Sequence, residues 1–201
     1  MKCLFAVTTI LSTGWAFGAL AAPSAQEVVM STSDQVIARL KTQDKEANSD
    51  PVRVHALVDE VVVPHFDFVR MSKLVLGKNW RGAELEQKKR FVEEFRKFLI
   101  RTYAKALEEY TDEEILYHPV RAEDDAERVT VKTEVIRSGG PSIPIDYRMY
   151  RKDMNWKVFD VLVDGISLVS THRGSFAAEI RKSGLDGLIE ELVARNGKRG
   201  G

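Results

Sequence analysis

Apolar positions recur along the chain with two different periods. From Ala25 to about Gln43, Val28, Val29, Thr32, Val36, Ile37 and Leu40 fall on one helical face. Asp44 to Asp50 is polar; then Asp50 and Pro51 supply an acidic N-cap and a proline at the first helical position. Val54, Leu57, Val58, Val61 and Val62 keep the helical spacing until Pro64 stops it. A short segment, Phe66 to Leu76, follows, with Gly77 as its C-terminal cap. The longest helix is expected from about Ala83 to Tyr110, where Phe91, Phe95, Phe98, Leu99, Tyr103, Ala106, Leu107 and Tyr110 share one stripe.

The period then changes to two. Glu114 to Pro119 is a short strand, and Arg128 to Ser138 alternates with Val129, Val131, Thr133 and Val135 on one face. After the turn Ser138 to Pro141, Ile143, Ile145, Tyr147 and Met149 share a face. Trp156 to Asp164 is apolar on both faces from Val158 to Val163, as a central strand covered on both sides would be. Short connections make these four strands an antiparallel meander, hence an α+β domain. After Gly165 helical spacing returns in Leu168, His172, Phe176 and Ile180. Gly184 interrupts it before a final helix carrying Leu185, Leu188, Ile189, Leu192 and Val193, and residues 197–201 read as a frayed tail.

The N-terminus changes what counts toward the fold. Lys2, a charge-free run from Leu4 to Leu20, and small residues at Ala19 and Ala21 form a secretory signal, so residues 1–21 are expected to be cleaved. The remaining 22–201 form a single domain, with 29 basic against 30 acidic residues and no cysteine once Cys3 is gone. That balance argues against nucleic acid, which needs a basic surplus.

Catalytic patterns are missing. Gly165, Ser167 and Val169 do not make a nucleophile elbow, since valine replaces the second glycine. His55, His65, His118 and His172 show no metal-ligand spacing. Asp160 lies on a very apolar strand and needs a partner, for which Arg173 and Arg148 are the candidates. The aromatic stripe from Phe91 to Tyr103 is open to two readings, a packed core or the wall of a cavity for an apolar ligand.

Taken together, several short segments resemble one family. They are Phe66, Asp67 and Phe68; Met71; Val75, Leu76 and Gly77; Trp80; a helix carrying Phe91, Phe95, Leu99 and Tyr103; Tyr150 and Arg151; Trp156 to Val161; Gly165 to Val169; Arg173, Phe176 and Gly184 to Ile189. In order and spacing they are similar to the MlaC, or toluene-tolerance, family of periplasmic phospholipid-binding proteins, from about Ala25 to Leu192. The resemblance implies a curved antiparallel sheet, four-stranded here, with about six helices enclosing an apolar lipid pocket. It also implies a monomeric periplasmic carrier without cofactor or catalytic residues. Its implied partners are phospholipid, an MCE-domain subunit of an inner-membrane ABC transporter and an outer-membrane lipoprotein–porin complex. A hopanoid-linked relative leaves that ligand as an alternative.

Burying a sixteen-carbon tail removes a penalty on the order of 12 kcal/mol, at about 0.8 kcal/mol per methylene, so a carrier needs a dry apolar wall. The expected walls are Phe95, Leu99 and Tyr103 facing Tyr147, Met149 and Trp156, with Val75 and Trp80 near the mouth. Two other classes stay open: an enzyme on a similar fold, using Asp160 with His172, and an adaptor whose interior is filled by its own side chains.

Overall fold

The computed structural model describes residues 22–42, 50–108, 113–120, 126–137 and 139–197. The expected signal, Tyr110 and the tail beyond Gly197 lie outside them. Helix α1 (Ala25–Thr42) begins at a reciprocal cap that the sequence reading passed over. The Ser24 hydroxyl accepts from the Glu27 N–H at 3.2 Å, and the Ser24 N–H donates to the Glu27 carboxylate at 2.7 Å. Helix α2 (Pro51–Leu57) starts as expected, with Asp50 accepting from the Val52 N–H. It does not run unchanged to Pro64: the chain widens into a π-turn at Val58–Val62 and tightens into a 3₁₀ turn at Val63–His65.

Phe66 then forms a parallel bridge to Val158, and Asp67 caps α3 (Phe68–Leu76) by accepting from the Arg70 N–H at 2.8 Å. Gly77, at φ +55°, turns the chain into the short α4 (Lys78–Gly82), and the Arg173 guanidinium lies where a side chain at 77 would point. Helix α5 spans Leu85–Tyr103 rather than Ala83–Tyr110. At Ala104 the hydrogen bonding shifts to the i−3 pattern, with the Leu107 N–H donating to the Ala104 carbonyl, and only the short α6 (Lys105–Glu108) follows.

Five strands, not four, form the sheet: β1 (Glu114–Tyr117), β2 (Arg128–Ile136), β3 (Ile143–Lys152), β4 (Asn155–Val163) and β5 (Ile166–Ser167), paired in chain order and all antiparallel. The extra strand is two residues long, too short for any period to register. Between Arg148 and Met149 the register shifts, because Arg148 pairs with Asp160 and Met149 with Val158, leaving Phe159 as an additional residue. This bulge bends the sheet. It also refines the reading of β4: Trp156 and Val158 precede it, Val161 and Val163 follow it, and all four pack on one face. The bulge therefore changes parity within β4, while the other face, where Asp160 is buried and Phe159 and Leu162 are half-buried, is covered as well.

Helix α7 (Leu168–Gly197) carries the expected break at Gly184, where φ is +75°. Two main cores result. One joins α3, α5 and α7 through Met71, Val75, Phe91, Phe95, Phe176 and Ile189. The other seals α1 residues Ala25 and Val29 onto Val131, Met149, Trp156, Val158 and Val161. Phe66 packs against both.

Of the two partners offered to Asp160, Arg148 is the one used. The carboxylate, 3% exposed, accepts from Arg148 at 3.1 Å, from the Ser167 hydroxyl at 2.7 Å and from the Val169 N–H at 3.2 Å. Ser167 in turn caps α7 by accepting from the Ser170 N–H. Asp160→Ala leaves these donors unpaired and is expected to cost about 2–4 kcal/mol of folding free energy. Urea unfolding at neutral pH measures it, and a loss below about 0.5 kcal/mol would show the network to be dispensable.

Candidate functional site

The two cores differ in how completely they are filled. In the helical core Phe91 and Phe95 are 0% exposed and stack at 5.5 Å, with Phe176 edge-on to both at 6.0 and 5.7 Å. The inner face of the sheet is looser. Tyr117, Val129, Ile145, Tyr147 and Val163 are only partly buried although they pack against the sheet core. Tyr147 is the clearest case: burial pushes its hydroxyl up to about 12, yet the side chain keeps accessible surface.

The eight residues expected along an apolar wall divide between these regions. Val75, Phe95 and Leu99 are buried in the helical core, and Trp80 packs at its edge with the Lys73 and Lys88 ammonium groups each 5.8 Å from its ring. Tyr103 is 36% exposed, its hydroxyl 3.4 Å from His172 Nε2. Tyr147, Met149 and Trp156 come together on the sheet's inner face, with the Arg151 guanidinium 5.1 Å from the Trp156 ring. The structure thus gathers them as two groups that meet at Phe66. Sequence reasoning missed Phe66 as the shared residue, and Tyr117 and Thr133 beside Tyr147. A four-residue strand gives too little alternation to assign Tyr117 a face.

The joint between the groups is polar. Asp67 accepts from the Tyr150 hydroxyl and from Lys152 Nζ at 3.1 Å, while the Arg70 guanidinium lies 3.8 Å over the Tyr150 ring. Burial alone would raise the Asp67 carboxyl; the bonds from Tyr150, the Arg70 N–H and Lys152 outweigh it and hold it below the ordinary value. The opposite face of the sheet carries a concavity of about 1170 Å³ whose lining mixes charged side chains, among them Arg128, Lys132, Asp146 and Arg148, with apolar ones such as Pro144 and Phe159. Among the described residues no three His, Cys, Asp or Glu side chains converge as a metal would require. Asp160 and His172 do not form the polar pair suggested for chemistry. Asp160 is held by Arg148, Ser167 and Val169, whereas His172 sits among Phe95, Phe98, Phe176 and Tyr103.

Architecture and interior define an α+β protein in which an open meander sheet and a helical layer border an apolar seam. The model of the MlaC protein family matches residues 30–194, and the chain belongs to that family. It is 30% identical over 168 residues to toluene tolerance protein ttg2D of Pseudomonas putida, covering 83% of this chain and 78% of that one. To the intermembrane phospholipid transport system binding protein MlaC of Haemophilus influenzae it is 21% identical over 197 residues, 96% and 92% of the two chains. Among solved structures, the phospholipid-binding protein of Ralstonia solanacearum, in complex with a phospholipid, superposes with a TM-score of 0.81. It is 34% identical, with 87% of this chain and 97% of that chain covered.

His172 makes stability depend on pH. Burial, with a smaller contribution from Arg195, lowers its pKa below the ordinary 6.5. The unfolded chain therefore binds the proton more readily, and stability fully present above about pH 6.5 is lost as pH falls from there through the lowered pKa of the folded chain. His65, lowered by burial and by Lys157, acts in the same direction. His172→Phe keeps the aromatic contact and is expected to flatten part of the slope between pH 7.5 and 5.5 in denaturant titrations. An unchanged slope would remove His172 from the account.

Proposed function

We propose that this chain is a periplasmic carrier of phospholipid, holding the acyl tails in its interior and performing no bond-making chemistry. The observation that carries the reading is the 34% identity and 0.81 TM-score to a protein described in complex with a phospholipid, across 97% of that protein. Its interior supports it: an apolar sheet face left partly buried is surface a hydrocarbon tail would cover, at about 25 cal/mol per Å². Two described features fit a shuttling role. No described helix is long and apolar enough to cross a membrane, and the formal charge is balanced, so no strong electrostatic attraction would hold the chain on an anionic surface. The leader expected at residues 1–21 supports export.

In this proposal Tyr147, Met149 and Trp156 contact the tails from the sheet. Tyr103 borders them from the helices, with Val75, Phe95 and Leu99 backing that wall and Trp80 at its edge. The name of the Haemophilus relative, an intermembrane transport system binding protein, supports placing the chain between two membranes. There its partners would be an MCE-domain subunit of an inner-membrane transporter and an outer-membrane lipoprotein–porin complex.

Native mass spectrometry of the purified mature chain, followed by lipid extraction, is expected to find phospholipid bound in a fixed ratio. Ile145→Arg, which places a charge on the sheet's inner face, is expected to reduce bound lipid at least tenfold. Lys132→Glu, in the charged concavity, should retain it, with thermal melting confirming that both fold. A wild-type protein that carries no lipid, and takes none from vesicles, contradicts the proposal.

A further inference from the structure

The apolar seam contains a line of hydroxyl groups that tail binding does not use. Tyr117 on β1 pairs directly with Thr133 on β2, and Val131, two residues earlier on β2, pairs with Tyr147 on β3. Side chains at 131 and 133 share a face, so Tyr117, Thr133 and Tyr147 place three hydroxyls diagonally across three adjacent strands. Thr133 is buried and donates its proton to the Ile145 carbonyl at 2.9 Å, and its hydroxyl is the hydrogen-bonding neighbour of the Tyr147 phenol, which a ligand acceptor would compete for. The Tyr117 hydroxyl is buried with no hydrogen-bond partner among the described residues. Ser33 of α1 is close enough to act on it and the Asp34 carboxylate raises its pKa, but no partner meets hydrogen-bond geometry.

We propose that Tyr117 and Tyr147 are a donor pair for the acyl-ester carbonyl oxygens of the carried lipid. The inference rests on the carrier reading above and specifies which part of the ligand the interior recognises. A buried, unpaired hydroxyl is costly, and a ligand acceptor beside it relieves that cost. Burial raises both phenols, Tyr147 to about 12, so both remain O–H donors at neutral pH.

The surroundings select the acceptor. An acid, Asp34, acts on the Tyr117 phenol, and the neighbours on the sheet face are Val129, Val131, Ile145 and Val163. An anion such as the lipid phosphate is repelled there, whereas a neutral carbonyl is not. In a diacyl glycerolipid the ester carbonyls stand where hydrocarbon meets the polar headgroup. A hydroxyl pair inside an apolar seam would therefore fix how deep the tails enter and leave the headgroup unread.

The test compares a diester phosphatidylethanolamine with its di-O-alkyl ether analogue, equal in headgroup and chain length but lacking both carbonyls. Wild-type protein is expected to bind the diester roughly three- to tenfold more tightly. Tyr117→Phe and Tyr147→Phe should each weaken diester binding by a larger factor than diether binding, which compresses the diester preference, and thermal melting reports that the fold is intact. Equal affinity of wild type for the two lipids overturns the proposal, as does equal weakening of both lipids in the phenylalanine variants. Oleate bound more tightly than the diester would assign the hydroxyls to a free carboxylate and overturn it too. Failure of wild type to bind either phospholipid instead removes the carrier reading on which the proposal stands.

Discussion

The Phe66–Asp67 joint couples the sheet to the helical layer. The Asp67 N–H pairs with the Val158 carbonyl at 2.9 Å, while its carboxylate caps α3 and accepts from Tyr150 and Lys152. One residue thus ties the edge of β4, the start of a helix and the side chains of β3. The Phe66 ring beside it belongs to both cores. Because Asp67 is almost fully buried, these bonds are made where dielectric screening is weak and a missing partner is expensive. The relative position of sheet and helices, and so the width of the seam between them, depends on this joint.

Much of the architecture was legible because local chemistry agreed with the final structure. Asp50 and Pro51 opened a helix, Gly77 and Gly184 marked turns at positive φ, and the alternation in β2 and β3 placed the correct residues on the inner face. Illegible were features that arise only when strands pair. The bulge at Phe159 changes parity inside β4, and a sequence read without its partner strand cannot show that. The π-turn after Leu57 also leaves no signal, since its apolar positions continue at a spacing compatible with an ordinary helix.

The interior was legible in composition and less so in arrangement. Periodicity placed Phe95 and Leu99 on one helical stripe, and they do lie inside; they pack on α3 and α7, with Phe66 standing between them and the sheet core. Tyr147, Met149 and Trp156 share a face because β3 and β4 pair across the bulge in a register that keeps them together. The hydroxyl line needed the cross-strand register as well: Tyr117 and Tyr147 are thirty residues apart and gain a common surface only through Thr133 on the strand between them.

The order of the strands carries a kinetic consequence. Every pairing in the sheet joins neighbours in sequence, so the sheet can zip from hairpin to hairpin at small cost in loop entropy. The helical core is different: contacts such as Gln87 with Asp186 and Arg90 with Glu190 close loops of 99 and 100 residues. Loop-closure entropy therefore favours a route in which the sheet forms early and α7 docks late. On such a route the apolar seam is the last surface to leave water, and hydrocarbon present at that moment could be enclosed as the chain folds.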